Sequence, residues 1–209
     1  MSTEFRQTNK RASSVLSEIA YSLPHEGLTL RELLVRLGER GLLMFSMFLT
    51  IPFLIPLSIP GSSLPFGLII ALNAVGIVTH RAPWLPNCLM NRRLTAEQLK
   101  RVFEKGLRLF ARVEKLVHPR LPVLTHGTTT ARLNGMLLGF SGILLMSPLP
   151  LPLSNTLPAY GVLFLALGSL ERDGYLILAG YVMIFLTLLY LGLVGLLGRA
   201  GAQALLLYL

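Results

Sequence analysis

The chain has 209 residues, 53% of them hydrophobic and 14% charged, and its 19 Lys+Arg against 10 Asp+Glu leave a formal net charge of +9. Soluble domains carry about a quarter charged residues, so the composition argues against a freely soluble protein and pairs the positive charge with anionic lipid headgroups. A single cysteine, Cys88, excludes an internal disulfide, and no Cys/His set has zinc spacing.

The placement of charge is more informative than its total. No Asp, Glu, Lys or Arg occurs between Arg40 and Arg81, between Arg132 and Glu171, or between Asp173 and Arg199. One charge at the centre of a membrane helix costs roughly 2.5–3.5 kcal/mol on insertion scales. Three such gaps in a chain this small leave too little polar surface to cover them in water. The expected fold class is an all-α integral membrane protein with two Pro-broken helical hairpins as an internal repeat, one further transmembrane helix and amphipathic surface helices.

In chain order, residues 1–28 read as a mobile or short-helical amino terminus, without the apolar run of a signal peptide. Residues 29–79 read as an amphipathic helix and a first broken hairpin. Thr29 and Glu32 have the spacing of a capping box, and Leu30, Leu33, Leu34 and Leu37 share one face, with Arg31, Glu32, Arg36 and Glu39 elsewhere. Pro52, Pro56, Pro60 and Pro65 interrupt the apolar block, at about 3 kcal/mol per interior helical site. The spacing predicts helices over 42–56 and 65–79, each about 22 Å long and short of the ~30 Å hydrocarbon core. A hairpin open on one side and two thin spans fit this equally.

Residues 80–132 form a basic insert, placed in the cytoplasm by its Lys/Arg excess. Within it an amphipathic helix over 95–118 carries Arg101, Lys105, Arg108 and Arg112 towards lipid or a partner. Nucleic acid is not expected, because the basic helix is tethered between apolar blocks and lacks interleaved aromatics. Residues 133–170 read as the second broken hairpin, 174–198 as a complete crossing and 199–209 as an apolar tail.

The two breaks resemble each other. Pro56 to Pro65 aligns with Pro150 to Pro158 after one residue of slippage, with Gly67 opposite Gly161. Ser62 and Ser63 precede Pro65, and Asn155 and Thr156 precede Pro158, the arrangement of an N-cap followed by an early helical proline. Two readings follow: simple caps, or free helix starts holding an anion or polar solute near the midplane. Asn73, the strongly polar residue of the second arm, bridges helices or faces a cavity. Glu171, Arg172 and Asp173 form an ion or proton relay, or a self-neutralising interfacial turn. Gly135 and Gly139 allow close helix contact and motivate a homodimer. No Walker loop, HExxH or Gly-x-Ser-x-Gly setting is present, so no enzyme, metal or cofactor is expected.

These landmarks fall in a familiar order: Ile51-Pro52 through Pro65, Arg81-Ala82-Pro83-Trp84-Leu85-Pro86, His118-Pro119-Arg120-Leu121-Pro122, Pro148 through Pro158, and Glu171-Arg172-Asp173-Gly174. Over about residues 27–198 the chain resembles the ExoD family of bacterial exopolysaccharide synthesis proteins. The resemblance implies a multi-pass protein of the bacterial inner membrane, connected with exopolysaccharide synthesis or export. It carries no catalytic mechanism or ligand. Two functions are compatible with it: passage of a small ion or polar solute at the breaks, or a scaffold that recruits other polysaccharide-synthesis membrane proteins through the basic helix.

Overall fold

A computed structural model describes residues 28–55, 63–80, 93–95, 97, 121–147, 151 and 153–208. The described residues are helical apart from a two-residue antiparallel pairing of β1 (Leu28–Thr29) with β2 (Arg93–Leu94), a small departure from the expected all-α fold. Among the described residues these α-helices follow in chain order: α1 (Leu30–Leu37), α2 (Glu39–Thr50), α3 (Ser63–Thr79), α4 (Thr128–Leu145), α5 (Thr156–Glu171) and α6 (Gly174–Tyr208).

The capping box at the head of α1 is present in full: the Thr29 amide donates to Glu32 Oε2 at 3.0 Å, and the Glu32 amide to Thr29 Oγ1 at 3.2 Å. The amphipathic helix ends at Leu37, the last residue of its apolar face, because Gly38 (φ 61°, ψ −143°) turns the chain between α1 and α2 in a conformation that a Cβ disfavours. Glu39 therefore opens α2 and does not extend the outer face of α1. At the other end α2 stops at Thr50 instead of running to 56, and Ile51–Phe53 tightens into a 3₁₀ turn. Pro52 has no amide to continue the ladder, and Thr50 Oγ1 turns back to donate to the Met47 carbonyl at 2.7 Å. In α3, Pro65 lies in the first turn, where proline is tolerated.

Helices α2 to α5 form a cycle. Each packs on the next, α5 closes onto α2, and the α3–α4 contact is the most extensive. Neighbours run antiparallel. Phe53, just beyond α2, meets Phe66 near the start of α3 edge to face at 5.3 Å, whereas Glu39 at the start of α2 lies beside His80 after α3. A Cβ on Gly135 would meet Ile77 and Val78, one on Gly139 would meet Ala74, and one on Gly67 would meet the Gly142 carbonyl. The starts of α2 and α4 and the ends of α3 and α5 thus share one end of the bundle, and the segments flanking both Pro-rich breaks share the other. The Gly135/Gly139 face is used within the chain against α3, so it no longer argues for a homodimer.

Helix α6 packs along α5, with Gly168 against Ile177 and Gly180 against Leu165. It is continuous past Arg199 to Tyr208, so the tail extends the helix. Its residues Gly174–Gly198 are long and apolar enough to cross a membrane, with a mean hydropathy of 2.4; α3 and α5 are shorter apolar helices.

Large apolar side chains lie on the surface as well as in the core, and polar side chains are buried among them. Leu133, Met136, Phe140 and Ile143 make an exposed stripe on α4, while Phe185, Leu196 and Leu197 are 64–72% exposed on α6. Ser46, Thr50, Asn73, Ser141 and Thr187 are fully buried beside the Leu42, Ile70, Leu138 and Leu165 core.

A Cβ at Gly67 would sit 2.5 Å from both the Gly142 carbonyl oxygen and Met146 Cγ, whereas Gly195 has nothing within 4 Å. Gly67→Ala is expected to lose about 1–3 kcal/mol through overpacking, read as a Tm drop of several degrees in detergent. Gly195→Ala is expected to leave Tm unchanged or slightly raised.

Candidate functional site

The shared end where α2 and α4 begin gathers the charged groups of the described bundle. A cavity of about 520 Å³ opens there between the α1–α2 turn, the Thr125–Thr128 segment and the end of α5. Glu39, Arg40, His126, Thr128, Asn134, Ser169 and Arg172 contribute its polar lining. Two glycine conformations shape this mouth: Gly38, already described, and Gly127 (φ 106°, ψ 146°), which precedes α4 in a region open only to glycine. Without a side chain, Gly127 leaves the first α4 amides uncapped.

Glu39 Oε2 lies 3.6 Å from His80 Nδ1, and both side chains are half-buried. Burial lifts the Glu39 carboxyl above its ordinary value of 4.5, opposed by the charge and hydrogen bond of His80. Burial lowers the Arg40 guanidinium, opposed by the charge of Glu171 and reinforced by that of Arg172. Arg40 Nη1 is buried and has no hydrogen-bond partner among the described residues. Asn134 spans the cavity floor: its Nδ2 donates to the Leu124 carbonyl at 3.0 Å, and its Oδ1 accepts from the Tyr181 hydroxyl.

The Glu171-Arg172-Asp173 cluster divides its work. Arg172 ends α5 in the left-handed region (φ 58°) and lines the cavity. The Asp173 carboxylate accepts from the Tyr175 amide at 2.9 Å and so caps α6, while the Asp173 amide donates to Gly168 O at 2.9 Å. Asp173 is therefore a turn-forming cap, and Glu171 and Arg172 belong to the cavity end.

The residues expected at the breaks lie at the opposite end. Ser63 begins α3, and Asn155 and Thr156 begin α5; all three are buried. α3 and α5 occupy diagonal places in the cycle, so their starts share an end of the bundle without the helices packing as neighbours. Asn155 occupies the N-cap position but makes no side-chain cap bond, and its Oδ1 is buried without a partner among the described residues. Asn73 bridges helices: its Nδ2 donates to Ser46 Oγ at 3.2 Å, and its Oδ1 is likewise buried and unpartnered. Ser62, Arg101, Lys105, Arg108 and Arg112 lie outside the described residues.

Sequence reasoning overlooked Glu39, Arg40, His80, His126 and Asn134 as members of one site. A signal was present: the Glu39-Arg40 and Glu171-Arg172 pairs each border an apolar block.

With this geometry in place, relatives can be compared. A family described as "Exopolysaccharide synthesis, ExoD" matches residues 12–193. The chain belongs to the ExoD family. It is 40% identical over 206 residues to "Protein ExoD" of Rhizobium meliloti, covering 98% of this chain and 86% of that protein. It is 31% identical over 137 residues to "Uncharacterized protein slr1875" of Synechocystis sp., covering 65% of this chain and 64% of that one. No solved structure matches. The family match spans every element of this chain that lines the charged cavity.

Because the folded protein holds the Glu39 proton more tightly than the unfolded chain does, stability is expected to fall as pH rises above about 4.5 through the folded value. Glu39→Gln cannot ionise there. Its Tm relative to wild type is expected to rise between pH 4.5 and 7 in a detergent-solubilised thermal series; a difference independent of pH overturns the assignment.

Proposed function

We propose that this ExoD-family protein is a multi-pass inner-membrane protein that serves exopolysaccharide synthesis or export by passing a small ion or polar solute through its helical bundle. The observation that carries this reading is the polar interior. Buried polar side chains recur at three depths: Asn134 near the charged end, Ser46 with Asn73 midway, and Ser63, Ser141 and Asn155 near the breaks. In a protein whose outer faces carry bare Leu, Phe and Ile, such groups mark a solute path more readily than a core. The unpartnered oxygens of Asn73 and Asn155 are acceptors, which suits a cation or a donor-bearing solute.

Lipid as the surrounding solvent accounts for the exposed apolar stripes of α4 and α6, since soluble monomers rarely leave such patches bare. An internal repeat accounts for the packing cycle: exchanging the α2–α3 pair with the α4–α5 pair returns the same set of neighbours. In this reading each pair is a Pro-broken hairpin, and both copies begin at the charged end, so they are parallel and not inverted. The basic insert leaves and returns at that end, which places the charged cavity on the cytoplasmic side under the positive-inside rule. Helix α3, about 26 Å long at 1.5 Å per residue, nearly spans the ~30 Å core. We assign the protein no bond-making step; recruitment of other synthesis proteins by Arg101, Lys105, Arg108 and Arg112 is the competing role.

Flux into liposomes holding the purified chain tests the passage reading, with entrapped pH-sensitive and potassium-sensitive dyes as probes. Asn73→Leu and Asn155→Leu are expected to lower flux at least tenfold while reversed charges at Arg101 and Lys105 leave it intact; the opposite pattern favours the scaffold. In a Cys88→Ser background, Val123→Cys, 80% exposed at the charged end, is expected to react from the cytoplasmic side. Ile55→Cys, 59% exposed beyond α2, is expected to react from the outer side. Reaction of both from one side overturns a path that crosses the bilayer.

A further inference from the structure

We infer that the charged-end cavity is a binding site for a phosphate monoester, held by Arg40, Arg172 and the uncapped first turn of α4. Arg40 Nη1 is buried with no hydrogen-bond partner among the described residues, and Arg40 lines the cavity. Thr128, the first residue of the 18-residue helix α4, lines the same cavity, and Gly127 before it supplies no capping side chain. Both features offer donors, so the missing component is an acceptor, and a helix start beside guanidinium groups selects an oxyanion.

Charge supports the same choice. Burial and the charge of Arg172 disfavour the charge of Arg40, which Glu171, outside the cavity lining, favours. Glu39 is engaged with His80. An oxyanion between the arginines offsets their like charge, and the ring of His126 also lines the cavity. The cavity, at about 520 Å³, exceeds the room an inorganic phosphate needs, leaving space for the esterified group. An apolar bundle on one side of the cavity and an interfacial turn on the other suit either a lipid phosphate or a soluble phosphate ester, which share this recognition chemistry. The inference does not depend on the passage reading, which concerns the bundle interior.

Full-length protein in nanodiscs of phosphatidylcholine, with and without phosphatidic acid, and the same protein titrated with glycerol 3-phosphate separate the two sources; bound ligand is read by native mass spectrometry and microscale thermophoresis. Saturable binding of either probe is expected, weakened at least tenfold by Arg40→Gln and by Arg172→Gln, and unchanged by Arg31→Gln on the exposed face of α1. Glu39→Gln is expected to tighten binding two- to fivefold by removing a like charge from the lining. Retention of phosphatidic acid alone assigns the site to lipid, and retention of glycerol 3-phosphate alone assigns it to a soluble ester. Binding of neither probe, or binding that both arginine variants leave intact while their Tm stays at the wild-type value, overturns the inference. Flux that persists in the arginine variants leaves the passage reading standing, so the two fail separately.

Discussion

The cost of placing ionised groups away from water organises this molecule. Long stretches of the chain carry no charge at all, and the charged borders of the α2–α5 bundle fall at one end: Glu39 and Arg40 at the start of α2, His80 after α3, Glu171 and Arg172 after α5. Antiparallel packing of four helices of similar length makes this coincidence unavoidable. Because neighbours alternate in direction, every charged boundary of α2 to α5 is delivered to one face. The cavity is the local consequence, because side chains that repel each other and resist desolvation do not close into a dry seam.

Helix contact is managed by removing side chains. The α3–α4 seam brings Gly67 to the Gly142 carbonyl and Gly139 to Ala74, and the α5–α6 seam brings Gly180 to Leu165. Between helices with apolar surroundings on both sides, association relies on close backbone approach and on occasional hydrogen bonds. The Asn73–Ser46 bond at 3.2 Å and the Ser141–Pro158 carbonyl bond at 2.8 Å are of this kind. Membership of the ExoD family connects this architecture to exopolysaccharide synthesis, and the polar interior offers a physical basis for a role there.

Charge gaps, the Thr29/Glu32 box and the uninterrupted third apolar block were all legible in the linear chain, because each depends on local chemistry: the presence of a charge, a three-residue reciprocal bond, a run without proline. The family was legible from the order of its Pro-rich and basic landmarks. Gly135 and Gly139 were legible as contact residues, but their partner was not; only packing shows that α3 occupies that face. The end of α2 was misjudged because several prolines compete to stop a helix, and the earliest, Pro52, prevails through its missing amide.

By itself the sequence determined that this chain is helical and apolar over long blocks, with two Pro-rich stretches between them, since backbone donors and side-chain transfer energies are properties of residues and their near neighbours. Tertiary structure alone decided that the helix ends flanking both Pro-rich stretches share one end of the bundle and that the charged borders of α2, α3 and α5 share the other. It also left Asn155 as an unused cap with a buried oxygen and drew Arg40, from the first block's border, towards Arg172, from the second's. Those groups are 132 positions apart in the chain. Their proximity follows from the direction in which each helix packs, which no local pattern encodes.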